Sequence, residues 1–478
     1  MKKLLPTLLI TALATACNAN NTHKEIDNNI NKNQPAINNI IMVVADGMGP
    51  AYVTAYRNFA DDLTTEGVDR TVFDRHYVGT ATTYPASVSG YITDSAAAAT
   101  ALATGVKTYN DAISVDVNKQ PVKTVLERAK ELGKKTGVVV TSQINHATPA
   151  SYLSHNEYRR NYNEIADSYL DDGIKADIYL GGGWRYFIRK DRNLVEEFKQ
   201  SGFHYLDNYQ NLSSLPSDKP VLGLFGKTGL PWALDDTNPH RLSAMTKAAI
   251  SQLENEQGFF MLVEASQVDW AGHSNDIASA MYEMDDLAKT FEFLEQYVNQ
   301  HPDTLVILTA DHSTGGLSIG RKTYLKAPNV RSDYTWLPEI LRSMTLSPEG
   351  VAKQFEKNKL TIEQVSDLLN FELTQQEYDR LQTRKSTAAA TVDLYYQTPK
   401  AERTSKYPPT VYRLIAAELK EIIDIRTNTG WGGISDSATH TGVDVPVYVI
   451  GSEKQPFSGV IDNTDIAKGI FKLLENNK

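Results

Sequence analysis

Short apolar runs that end in a carboxylate or an imidazole restrict this chain more than any other feature. Asn38–Val44 (Asn-Asn-Ile-Ile-Met-Val-Val) leads into Ala45-Asp46-Gly47-Met48-Gly49. Gly258–Val263 leads into Glu264, and Thr304–Leu308 into Thr309-Ala310-Asp311-His312. Runs this short, rich in β-branched residues and without polar alternation, read as strands buried on both faces. Thr136–Thr141, Asp177–Leu180 and Val445–Ile450 have the same character. Between them lie helical patterns: Pro121–Leu132 with proline near its first turn, Asn156–Leu170, Pro239–Leu253 and Ile277–Val298. The alternation predicts an α/β fold, a central, mostly parallel sheet sandwiched by helices. In such a sheet the strand ends share one edge, where α/β proteins place their sites.

Residues 320–430 change character. Ser347-Pro348-Glu349 starts a helix with a cap and a proline at its first position. Thr361 to Gln364 and Thr374 to Glu377 are capping boxes, and Val411–Ile425 is a longer helix. An inserted, mainly helical, crown-like subdomain is expected there, between a core over 38–319 and a return to the core over 431–478. At the other end, Lys2 and Lys3 precede the apolar run Leu4–Ala16, too short to span a bilayer, which closes on Ala14-Thr15-Ala16-Cys17. This resembles a bacterial lipoprotein signal over 1–17, with Cys17 as the lipidated residue. It predicts an exported protein, periplasmic or anchored to the outer membrane; an ordinary signal peptide cut near Cys17 is the alternative. Residues 18–37 are polar and Asn-rich and suit a flexible tether. Cys17 is the only cysteine, so an exported fold must be held by its core or by metals and not by an internal disulfide. The formal charge of −10 argues against nucleic acid as the main partner.

Thr93-Asp94-Ser95 is a polar turn running into an alanine-rich segment of high helix propensity. With Asp94 or Ser95 as N-cap, Ser95 lies at a helix N-terminus, where free N–H groups and the helix dipole favour an anion. Taken alone, the stretch is better explained by capping than by a nucleophile aimed at phosphate. The inventory Asp46, Glu264, Asp269, His273, Asp311, His312 and His440 changes the balance, because most of these residues end apolar strands. Asp269 and His273 are four apart and share a face if helical. Asp311 and His312 are adjacent and converge only on an irregular segment. Nitrogen and oxygen donors of this sort suit zinc, and an all-oxygen subset suits magnesium.

Six motifs resemble those of bacterial and animal alkaline phosphatases, in that family's order and spread over residues 38–451. They are Asp46-Gly47-Met48-Gly49, Thr93-Asp94-Ser95-Ala96, His146-Ala147-Thr148-Pro149, the Glu264…Asp269…His273 spacing, Ala310-Asp311-His312 and His440-Thr441-Gly442. The resemblance implies hydrolysis of phosphate monoesters through a phosphoserine on Ser95, with two zinc ions and one magnesium ion. By position, Asp269, His273 and His440 would hold the first zinc, and Asp46, Asp311 and His312 the second, next to Ser95. Asp46, Thr148 and Glu264 would hold the magnesium. Arg159 falls at the family's phosphate-clamping arginine, with Arg160 its neighbour, and Asp94 would orient that arginine or the turn. His146 and Trp270 stand where the enterobacterial enzymes carry aspartate and, near the phosphate, lysine; here the chain looks more like marine bacterial members. Family members are commonly homodimers, so a homodimer is expected. Three other readings compete. Gly316-Leu317-Ser318-Ile319-Gly320 has the spacing of a serine-hydrolase elbow, but no helix signal follows it. A phosphodiesterase of the same superfamily and a non-catalytic metal- or phosphate-binding lipoprotein are the other two.

Overall fold

Strand β1 (Asn39–Val44) is buried at every position and hydrogen-bonded in parallel on both sides, as its unbroken apolar run requires. The computed structural model describes residues 36–320, 335–403, 408–433 and 439–476. Its strands include β2 (Tyr77–Thr82), β3 (Lys135–Gln143), β4 (Ile178–Gly182), β5 (His204–Leu206), β6 (Val221–Leu224), β7 (Phe259–Glu264) and β8 (Thr304–Thr309). With Val445–Ile450 and Gly459–Asp462 they form one ten-stranded sheet. Its order is Gly459–Asp462, β2, Val445–Ile450, β8, β1, β7, β3, β4, β6, β5. Every neighbouring pair from β8 to β5 is parallel. Val445–Ile450 runs against both of its neighbours.

This order places the site. The carboxyl ends of β8, β1, β7 and β3 lie side by side and deliver Asp311, His312, Asp46 and Glu264, and then the segment His146–Thr148, to one edge. Val445–Ile450 is antiparallel, so its amino end lies at that same edge, with Val447 opposite Thr309. His440, five residues before it, therefore arrives where the parallel strands end. The helix Ser95–Thr104 is buried along its whole length and packs on the helices Ala147–Leu153 and Asn463–Asn476. Its alanines allow that close approach.

Several elements differ from expectation. The helix predicted over 121–132 begins at Val125, because Thr124 and Glu127 form a capping box that starts it after Pro121. The helix predicted over 156–170 begins at Tyr162. The residues before it form a loop, where the Arg159 amide donates to the Asp111 carbonyl at 2.7 Å. Strands β2, β5, β6 and Gly459–Asp462 have no clear signal in the sequence: all lie toward the sheet's two edges, where little apolar density is needed, and all but β2 are short.

Among the described residues between 339 and 427 lie the α-helices Glu339–Ser343, Pro348–Lys357, Ile362–Leu369, Gln375–Gln397 and Val411–Thr427. The predicted caps Ser347, Thr361 and Thr374 each accept the expected backbone N–H. Ser318–Ile319 and Thr429–Gly430 pair antiparallel, so the two ends of the segment meet. Leu341, Val351, Phe355, Leu369 and Ile415 belong to the same continuous apolar core as the sheet. Among the described residues no helix is long and apolar enough to cross a membrane. The signal, Cys17 and most of the tether lie outside the described residues.

Because the core is shared, Phe355→Ala should cost about 3–5 kcal/mol and lower one cooperative unfolding transition. Calorimetry showing a separate early transition for the helical segment would contradict this.

Candidate active site

The first cluster grows from the helix Gln267–His273, which sets Asp269 and His273 one turn apart. His273 Nε2 is 3.4 Å and His440 Nε2 3.7 Å from Asp269 Oδ1, and the two imidazole nitrogens are 3.2 Å apart. His440 Nδ1 lies 2.9 Å from the Thr93 carbonyl, which can only accept, so Nδ1 carries the proton and the Nε2 lone pair turns inward. Burial, with His312 nearby, holds His440 down to about 4. Burial pushes Asp269 up, but His273, His440 and His312 outweigh it and leave the carboxyl well below its usual range. The Thr314 hydroxyl donates to Asp269 Oδ1 at 2.5 Å and lies 3.2 Å from His312 Nδ1, so it ties this cluster to the next.

The second cluster joins the ends of β1 and β8. Asp311 Oδ1 accepts the backbone N–H groups of Gly47 at 3.1 Å and His312 at 2.9 Å. His312 Nε2 is 3.1 Å from Asp311 Oδ2, 3.6 Å from Asp46 Oδ1 and 3.1 Å from Ser95 Oγ. Gly47 has φ +79°, and a Cβ there would sit 2.6 Å from the Asp269 Cα, so the turn after Asp46 needs glycine. The third cluster is Asp46, Glu264 and His146. Glu264 Oε2 accepts from Ser142 Oγ at 3.3 Å, and buried Thr148 lies beside it. In each cluster one donor atom per residue lies within 4.8 Å of the others.

Electrostatically these clusters are unbalanced. Asp46 is fully buried, and neither of its oxygens has a hydrogen-bond partner among the described residues; the same holds for Glu264 Oε1. Burial drives Asp46 well above the carboxylate range, and Asp311, Asp269 and Glu264 add to the push. Burial raises Glu264 to about 7, against a hydrogen bond from Ser266. Buried carboxylate oxygens without donors, converging with imidazole nitrogens, are the donor sets that divalent cations fill. The residues therefore fit bound metal.

Ser95 and Arg159 face these clusters. Asp94 caps the helix Ser95–Thr104 by accepting Ala97 N–H at 3.0 Å with Oδ1, and holds Arg159 Nη1 at 2.8 Å with Oδ2. Burial works against the Arg159 charge, but Asp94 outweighs it and keeps the guanidinium ionised. Arg160 points to solvent. Arg159 Nη2 is 3.4 Å from His146 Nε2, and His146 Nδ1 is buried without a hydrogen-bond partner among the described residues. Burial, and then Arg159, hold His146 down to about 3, so the ring is neutral. Trp270 stands edge-on to His146, ring centroids 5.9 Å apart.

The alkaline phosphatase family model matches residues 37–476. The chain belongs to the alkaline phosphatase family. It is 40% identical to alkaline phosphatase 3 of Bacillus subtilis over 484 residues, covering all of this chain and 98% of that one. It is 41% identical to alkaline phosphatase 4 of the same organism, covering all of this chain and 97% of that one. The crystal structure of a cold-active alkaline phosphatase from a psychrophilic Shewanella is 43% identical, with a TM-score of 0.80, over 91% of this chain and 99% of that one. The chain is thus an alkaline phosphatase, a hydrolase of phosphate monoesters from a metal-dependent family.

All eight residues expected to bind metal lie at this one edge of the alkaline phosphatase sheet. His146, expected beside the ligands, brings a ring nitrogen into the third cluster, and Thr148 borders it. Ser318 does not form an elbow: it is exposed and sits in a two-residue strand against Gly430. Sequence reasoning misses Thr314, Ser142 and Ser266, whose hydroxyls support the carboxylates. Only Thr314 carried a hint, being three residues after Asp311.

Glu264 keeps its proton below about pH 7, so a cation entering the third cluster must displace it. Affinity there should rise as pH climbs through about 7, where Glu264 gives up its proton. Proton release on adding magnesium to metal-free protein in weak buffer should be larger at pH 6 than at pH 8; equal release would contradict the assignment.

Proposed function

We propose that this alkaline phosphatase transfers the phosphoryl group of a monoester to Ser95 and then to water, with divalent cations in the three clusters. The observation that carries the reading is Ser95 Oγ, 3.1 Å from His312 Nε2 and at the N-terminus of a fully buried helix. Asp269, His273 and His440, and likewise Asp46, Asp311 and His312, are mixed nitrogen and oxygen sets of the kind zinc takes. Asp46, Glu264 and Thr148 form a harder oxygen set suited to magnesium, with His146 at its margin. Bound cations would supply the positive charge that makes the serine hydroxyl more acidic and offsets the phosphate dianion.

The chain's own residues do the rest. Arg159 presents its planar fork to two phosphate oxygens, and Asp94 keeps the fork oriented. The helix dipole at Ser95 favours the same anion. Ser95 Oγ gives its proton to solvent and attacks phosphorus; the bond to the ester oxygen breaks, and that oxygen takes a proton from solvent and leaves as the alcohol. Water then attacks the phosphoserine, the Ser95–phosphorus bond breaks, and inorganic phosphate departs. His273 is partly exposed, so the site stays open to water on that side. Trp270 and His146 flank the phosphate position without adding a second fixed charge.

The wider setting is part of the same proposal. Residues 1–17 direct export, Cys17 carries a lipid, and 18–37 tether the enzyme in the periplasm or on the outer membrane. Residues 320–430 form the inserted crown, and two copies pair as a homodimer. The meeting of Ser318–Ile319 with Thr429–Gly430 supports the insertion.

Acid quenching during turnover should trap one phosphate on the peptide that contains Ser95, and Ser95→Ala should lose both the trapped phosphate and turnover of p-nitrophenyl phosphate. Full turnover in the mutant would sink the nucleophile assignment, and faster cleavage of bis-p-nitrophenyl phosphate would favour a diesterase. His146→Asp combined with Trp270→Lys adds one carboxylate and one cation. It should shift the pH optimum and strengthen inhibition by product phosphate; unchanged pH and inhibition profiles would contradict these roles.

A further inference from the structure

The helix Val411–Thr427 lies outside the sheet, yet it reaches the loops that follow the ligand segments. Lys420 is 8% exposed, and its Nζ donates at 3.0 Å to the carbonyl of Ser274, the residue that closes the ligand helix Gln267–His273. A cation at the C-terminal end of a helix satisfies a free carbonyl and opposes the dipole favourably. The same ammonium counters buried Asp276, which caps the next helix, Ile277–Gln300, through Ser279. One turn further along, Asp424 Oδ2 accepts from Trp431 Nε1 at 2.9 Å. The Trp431 ring lies over Gly315, where φ is +76° and a Cβ would come within 2.9 Å of the ring.

The backbone after Trp431 makes the link tighter. Gly432 N–H donates to the Gly315 carbonyl at 2.8 Å, and Asn275 Nδ2 donates to the Gly433 carbonyl at 2.9 Å. Residues 431–433 are therefore held between the loop after His273 and the loop after Asp311 and His312. Gly315 N–H in turn donates to the Thr439 carbonyl at 3.0 Å, one residue before His440. His273 and His440 are both reached through these contacts, whereas none of them touches Glu264, His146 or Thr148.

We infer that Lys420 and Trp431 are positioning residues that clamp the Asp269–His273–His440 cluster, so that the helical segment controls how long that cluster keeps its cation. The inference rests on the reading of the cluster as a cation site. Loss of such outer contacts weakens metal retention by about 10-fold or more where the ligand geometry loosens.

The test is release of zinc from the loaded full-length enzyme into a chromogenic chelator, with magnesium content followed in parallel. Lys420→Met should release the zinc of the Asp269 cluster about 10-fold faster, the zinc of the cluster joined to it through Thr314 by a smaller factor, and leave the magnesium unchanged. Lys420→Arg keeps a donor and should restore the wild-type rate. Trp431→Phe keeps the ring over Gly315 and loses the bond to Asp424; it should speed the same phase by a smaller factor, and it carries the test if Lys420→Met fails to fold. Unchanged release in these variants, or equal acceleration of every ion, would overturn the clamp alone. A wild-type protein that retains no zinc would overturn the cation-site reading itself, and the clamp with it.

Discussion

The structure depends on one carboxylate, Asp46, buried at the end of the central strand with neither oxygen bonded within the described protein. A charge in that position costs several kcal/mol unless something neutralises it. It belongs to two donor clusters at once, with Asp311 and His312 on one side and Glu264 and His146 on the other. β1 lies between β7 and β8, so the neighbours that supply those partners are the strands it is hydrogen-bonded to. The strand order and Gly47 serve the same point: they bring donors to Asp46 and let the chain turn away from it.

Around that point the supporting contacts are shared between tasks. Asp94 caps a helix with one oxygen and holds Arg159 with the other, so the capping reading of Thr93-Asp94-Ser95 is met by Asp94 and leaves the Ser95 hydroxyl facing the clusters. Thr314 joins Asp269 to His312, so the two nitrogen-bearing clusters are not independent. The helix Gln267–His273 is pinned at both ends. Gln267 Nε2 donates to the Thr141 and Leu230 carbonyls at its start, where its own Oε1 accepts from buried Arg241. Lys420 holds its far end.

The legible part of the site follows from strand geometry. Asp46, Glu264, Asp311 and His312 could be grouped from sequence because ends of parallel strands share an edge, and Asp269 and His273 because four residues make a helical turn. His440 could not be grouped that way, since the strand after it is antiparallel and only its amino end reaches the site. His440 stood in the inventory as a candidate by residue type alone, and Arg159 and Thr148 entered through the family's motifs. The contacts that lock the site were silent: Lys420 and Ser274 are 146 residues apart and meet through one side chain and one carbonyl. Such pairings leave no local pattern, just as the short strands toward the sheet's edges leave little apolar density. The helical segment shares its apolar interior with the sheet.

The central claim is that Asp46 is held in common by two cation sites. Metal content of the dialysed protein, measured by plasma mass spectrometry for wild type, Asp46→Asn and Glu264→Gln, tests it most directly. The account predicts that Glu264→Gln loses the magnesium alone, while Asp46→Asn loses the magnesium and one zinc together and keeps the zinc of the Asp269 cluster. Loss of a single ion in both variants, or full retention in Asp46→Asn, would contradict it.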